Sequence, residues 1–112
     1  MDIQITGRNV TVNDNLRSYV EDRLLPLMAD YPRVESCHVI LAHEKYRHTA
    51  EVVIQGRDKL RAEADETTDD LYASIDAAGG KIDNQLRKLR EKTIERHHER
   101  QRLVDVEKPG EA

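Results

Sequence analysis

The chain has no Trp and no Phe, a single Cys, three Pro and five Gly in 112 residues. The first shortage leaves Tyr19, Tyr31, Tyr46 and Tyr72 as the aromatic side chains, so the core must rest on Val, Ile, Leu and Ala. One cysteine, Cys37, excludes an internal disulfide framework and fits a reducing cytosol. No apolar run approaches the roughly 18 residues of a membrane span. The start, Met1-Asp2-Ile3-Gln4, has no basic stretch leading into an apolar one, so no signal peptide is expected. The sequon Asn9-Val10-Thr11 then carries no meaning. No Gly-rich phosphate loop occurs, and no Ser or Cys stands in an evident nucleophile pattern. The chain is not expected to be an enzyme or to hold a cofactor.

What is present is an ordinary globular share of hydrophobic residues, 38%, and a charged share of 36% that implies a heavily solvated surface. The net charge of −4 argues at first against a polyanionic partner. The distribution reverses that reading. Residues 81–102 hold eight Lys or Arg against four acids, while residues 1–80 hold nine basic and fifteen acidic residues. A basic segment on an acidic body still attracts phosphate through its local field.

The hydrophobic pattern gives six elements. Ile3 and Ile5 alternate with polar neighbours as a short strand, broken at Gly7. Asn13 or Asp14 then caps a helix whose apolar face is Leu16, Val20, Leu24 and Leu27. Pro26 should kink that helix or stop it early, and it is over before Pro32. Strands follow over Val34–His43, around Ala50–Gln55 and around Leu60–Asp65, joined by turns at Glu44–Arg47 and Gly56–Asp58. In the first of these three both faces are apolar, so the inward one is left open. Thr67 or Thr68 caps a last helix, striped by Leu71, Ile75, Ala78, Ile82, Leu86 and Leu89 and continuing to Arg102. It would span roughly 50 Å and overhang the sheet. The order β-α-β-β-β-α reads as an α+β fold, a four-stranded sheet with two helices packed on one face. Residues 1–102 form the domain and residues 103–112 a flexible acidic tail.

Lys81, Lys88 and Lys92 share one side of the last helix, with Arg87 and Arg90 flanking. This is either a phosphate-binding stripe or a solvated face held by pairs along the helix. Glu51, Val53, Gln55, Arg61, Glu63 and Asp65 would line the outer sheet face, which is neither basic nor aromatic. Base stacking there is unsupported, and RNA contact should come from the helix side. A metal site from Cys37, His38, His43 and His48 is rejected because Cys37 and His38 point to opposite faces of one strand. His98-Glu99-Arg100-Gln101-Arg102 fails the zincin pattern, since Arg102 replaces the second histidine. Gly79-Gly80 inside the best helix marks either a close backbone approach or a deliberate kink, or else tolerated drift, and drift is favoured.

The segments Asp70-Leu71-Tyr72-Ala73-Ser74-Ile75-Asp76 and Lys81-Ile82-Asp83-Asn84-Gln85-Leu86-Arg87-Lys88 resemble the second helix of the ribosome hibernation-promoting factor and ribosome-associated inhibitor family, also labelled sigma-54 modulation protein. Ile3 through Val10, Leu16 through Leu24, Glu44-Lys45 and His48-Thr49-Ala50 resemble its other motifs in order, over roughly residues 1–96. The length resembles the family's short form. The resemblance implies a cytoplasmic protein of starvation or stationary phase, a monomer off the ribosome. Its partner would be the small ribosomal subunit, where it occupies the mRNA and tRNA channel against 16S rRNA near the decoding centre. Neither a membrane nor a small-molecule substrate is implied. Carried over by position, the rRNA-binding residues would be Arg23, Lys81, Arg87, Lys88, Arg90 and Lys92. A modulator of transcription acting through protein contacts, and a generic double-stranded RNA-binding module, are the alternatives.

Overall fold

The computed structural model describes residues 2–102, with side chains described from Ile3 to Arg90. The elements are β1 (Asp2–Arg8), α1 (Asp14–Ala29), β2 (Val34–Glu44), β3 (Arg47–Gly56), β4 (Arg61–Thr68) and α2 (Leu71–Arg102). The strands lie in the order β1-β2-β3-β4, with β1 parallel to β2 and the other pairs antiparallel. The expected α+β architecture is the observed one. The backbone of the last helix runs to Arg102, while Lys92, the His98–Arg102 segment and the tail fall outside the described side chains.

Register decides the face that the β2 pattern left open. Ile5, Val39, Val52 and Ala64 stand in one row, and Ile3, Cys37, Ile54 and Ala62 in the next. These rows meet Leu16, Val20, Leu24, Leu27 and Met28 of α1 and Ile75, Ala78, Ile82 and Leu86 of α2 in one core. Cys37 is buried there, and burial pushes its thiol up to about 12, so it stays protonated at neutral pH and packs as a small apolar group. The opposite face holds Gln4, His38, Val53 and Glu63 in one row and Thr6, Ile40, Glu51 and Asp65 in another. None of these eight is fully buried.

The helix ends follow local chemistry. Asn13 caps α1, its side chain accepting from the Leu16 amide at 2.9 Å. Pro26 lies inside α1, which ends three residues later at Ala29 with tightened bonds from Asp30 to Leu27 and from Tyr31 to Met28. The cap of α2 corrects the sequence reading. Thr68 still belongs to β4, opposite His48, and Asp70 accepts from the Tyr72 amide at 3.2 Å. Thr68 instead accepts from the Asp70 amide at 3.0 Å and shapes the approach to the helix. Buried Ser74 completes the junction by donating to the His48 carbonyl at 2.7 Å.

The outer edge of β4 is covered from α2. Gln85 donates to the Glu63 carbonyl at 2.8 Å and accepts from its amide at 3.2 Å, as a neighbouring strand would. Lys81 reaches the Asp65 carbonyl at 3.3 Å.

Candidate functional site

The basic residues of α2 do not form one continuous stripe. Lys81 turns towards β4, where its ammonium meets Glu66 at 2.5 Å, and that hydrogen bond raises its pKa. Arg87 folds back on its own helix, bonding Asp83 at 3.3 Å and Asn84 at 3.0 Å. Arg90 lies 4.8 Å above the Tyr31 ring, on the side facing α1. Lys88 is exposed and has no carboxylate partner among the described residues. The side chain of Lys92 lies outside them.

Arg23, expected as the basic contact of α1, sits in the seam between the helices. Its Nε is 3.5 Å from an Asp76 carboxylate oxygen and its Nη2 donates to the Asp76 carbonyl at 3.1 Å. Tyr19 donates to the other oxygen of the same carboxylate at 2.7 Å, which raises the phenol pKa, and its ring meets Tyr72 edge-on. Two turns along, Tyr31 donates to Asp83 at 3.0 Å; burial, then that bond, raise its pKa. Asp76 and Asp83 therefore hold one side of the seam, and Tyr19, Arg23 and Tyr31 the other. The sequence reading missed this tie. Its trace was there in the seven-residue spacing that places Asp76 and Asp83 on one flank of a helix.

The seam also explains one of the two glycines. A Cβ on Gly79 would stand 3.0 Å from the Arg23 guanidinium carbon, so Gly79 marks a close approach and the drift reading is corrected there. On Gly80 the nearest atom would be 3.9 Å away. Replacing a helical Gly by Ala gains about 0.5–1 kcal/mol where the space is open. Gly80→Ala is expected to show that gain in urea unfolding, and Gly79→Ala a smaller one because Arg23 must shift. Equal gains would show that Arg23 is not held against the helix.

For metal or nucleophile chemistry the arrangement offers little. Cys37 faces the core, whereas the His38 ring faces the open side and meets the Thr6 hydroxyl at 2.8 Å. His43 and His48 stack as a cross-strand pair with ring centroids 4.3 Å apart. Among the described residues no three His, Cys, Asp or Glu side chains gather as a metal site, and no helix is long and apolar enough to cross a membrane. The geometry offers an exposed Lys88 on α2, an acid-bearing open sheet face, and a seam whose Arg23 is already engaged.

Comparison with known proteins gives these features a context. Residues 3–102 match the family model described as "Sigma 54 modulation protein / S30EA ribosomal protein". The chain is 36% identical over 98 residues to a ribosome hibernation promoting factor of Azotobacter vinelandii, covering 86% of this chain and 89% of that one. It is 31% identical over 93 residues to the protein of the same name from Escherichia coli K12, covering 82% and 96%. Among solved structures, the N-terminal domain of Thermus thermophilus Protein Y is similar at TM-score 0.73 and 30% identity, over 80% of this chain and 99% of that one. A ribosomal subunit interface protein from Coxiella burnetii shares the fold at TM-score 0.75 and 24% identity, with coverage of 81% and 99%.

Proposed function

The chain belongs to the Sigma 54 modulation protein / S30EA ribosomal protein family, and from that premise we propose that it is a ribosome hibernation factor. It binds the small ribosomal subunit against 16S rRNA near the decoding centre, keeps mRNA and tRNA out, and so inhibits translation in stress or stationary phase. The protein is not an enzyme; its effect comes from occupying a place. The observation that carries the reading is the match to ribosome hibernation promoting factors over nearly their whole length.

The geometry supports the helix side as the RNA-facing one. The open sheet face carries Glu51, Glu63 and Asp65 and would repel phosphate. Lys88 on α2 is free of acidic partners among the described residues. Lys81, Arg87 and Arg23 are held by Glu66, Asp83 and Asp76, so each must exchange a carboxylate for a phosphate in order to contribute. Contacts of this kind make affinity fall steeply with salt. The protein is expected to co-sediment with purified small subunits at low salt and to be released as salt rises through about 0.2 M. Absence from the pellet even at low salt would overturn the reading.

A further inference from the structure

The β2–β3 turn presents an aromatic side chain between two cations. Tyr46 is 77% exposed, the most open of the large hydrophobic side chains among the described residues. Lys45 and Arg47 flank it, and neither is paired with a carboxylate among those residues. Arg8 lies at the same end of the sheet, because β1 runs parallel to β2 and places it beside Ala42, and it too has no carboxylate partner among the described residues. Acids near this end include Glu44, which stands opposite Arg47 in the strand register, and Asp70, which is engaged at the Tyr72 amide.

The turn is braced. Lys45 takes a positive φ of 57°, and its carbonyl meets His43 Nε2 at 2.5 Å. Below it the His43 and His48 rings stack at 8° to one another. Asn9 ties the end of β1 to the hairpin by donating to the His43 carbonyl at 3.4 Å. Tyr46 is thus held out on a short, supported loop with most of its surface open.

We propose that the Lys45–Tyr46–Arg47 tip is a second RNA contact, with the Tyr46 ring stacking on an unpaired base and the flanking cations taking the adjacent phosphates. An exposed ring offers a face to any base, and neighbouring cations neutralise the backbone on either side of it. Lysine is depleted at protein interfaces, whereas a ring between two cations matches a splayed base and its flanking phosphates, so the combination favours RNA over a protein partner. The contact lies on the hairpin rather than on the helices and adds a stacking component to a phosphate-directed surface. It rests on the ribosome-binding reading above.

The test uses the full chain and purified small subunits. Wild type, Tyr46→Ala and Tyr46→Phe are compared by co-sedimentation, and the wild-type complex is irradiated to join stacked aromatic residues to RNA. Tyr46→Ala is expected to bind about tenfold more weakly and Tyr46→Phe about as wild type, since stacking resides in the ring. The RNA adduct should map to the peptide containing Tyr46. Tyr46→Ala binding like wild type, Tyr46→Phe binding as weakly as Tyr46→Ala, or an adduct only to a ribosomal protein would each overturn the proposal and leave the ribosome reading standing. Failure of the wild-type protein to sediment would instead overturn both.

Discussion

Lys88→Glu combined with Arg90→Glu should weaken co-sedimentation with small subunits by on the order of a hundredfold near 0.1 M salt. Both side chains are exposed on α2, Lys88 without a carboxylate partner among the described residues and Arg90 beside the Tyr31 ring. Each substitution removes a phosphate partner and puts a repelling charge in its place. Loss of two phosphate contacts should also lower the slope of log affinity against log salt by about 2. The cost to folding is small. Lys88 has no carboxylate partner among the described residues, and Arg90 gives up a cation–π contact with Tyr31 worth about 0.5–1 kcal/mol at an exposed site. Thermal unfolding should therefore move little while binding collapses. A double variant that still pellets at wild-type affinity would show that this side of α2 does not face RNA. Collapse of both folding and binding would mean that the helix end carries structure rather than recognition.

The elements were legible because each states its period plainly. Leu16, Val20, Leu24 and Leu27 are all buried on α1, as are Ile75, Ala78, Ile82 and Leu86 on α2. The inward face of β2 was not legible, since Ile40 and Ala42 are as apolar as Val39 and Leu41. The pairing with Ile5 and Val52 settles it. The α2 cap was misread because a threonine pair reads locally as a cap, whereas β3 pairing carries the strand on to Thr68. Gly79 was misread for a similar reason: the group that fills its space, Arg23, comes from the other helix.

The candidate site was legible as a charge excess but not as a set of free cations. Periodicity places Lys81, Arg87 and Arg90 on α2 without showing what each one meets. Arg23 and Asp76 are 53 residues apart, and only the packing of α1 on α2 brings them together. Tyr46 carried no signal in the hydrophobic pattern, because a turn has no period and its exposure follows from the two-residue hairpin between Glu44 and Arg47. The structure thus redistributes the site. Some expected contacts are internal ties, and the hairpin end gains cations that have no such ties.

Ile82→Ala should have the largest effect on stability and the least direct effect on recognition. Ile82 lies at the middle of the α2 stripe and is wholly inaccessible to solvent, within the core shared by the helices and the sheet. Truncating such a side chain removes its transfer energy and leaves a cavity, together costing about 2–5 kcal/mol. A domain of this size has roughly 5–15 kcal/mol in total, so urea unfolding should shift strongly to lower concentration. Helix propensity offsets little of this, since Ala gains only a few tenths of a kcal/mol over Ile. The exposed Lys88 and Arg90 are untouched. Under conditions where the variant is fully folded, its affinity for small subunits and its salt slope should match the wild type, whereas Lys88→Glu with Arg90→Glu should show the reverse pattern. If Ile82→Ala instead lost binding while fully folded, the contact surface would depend on how α2 seats against the sheet, and charge reversal on α2 could no longer be read as the loss of direct phosphate contacts.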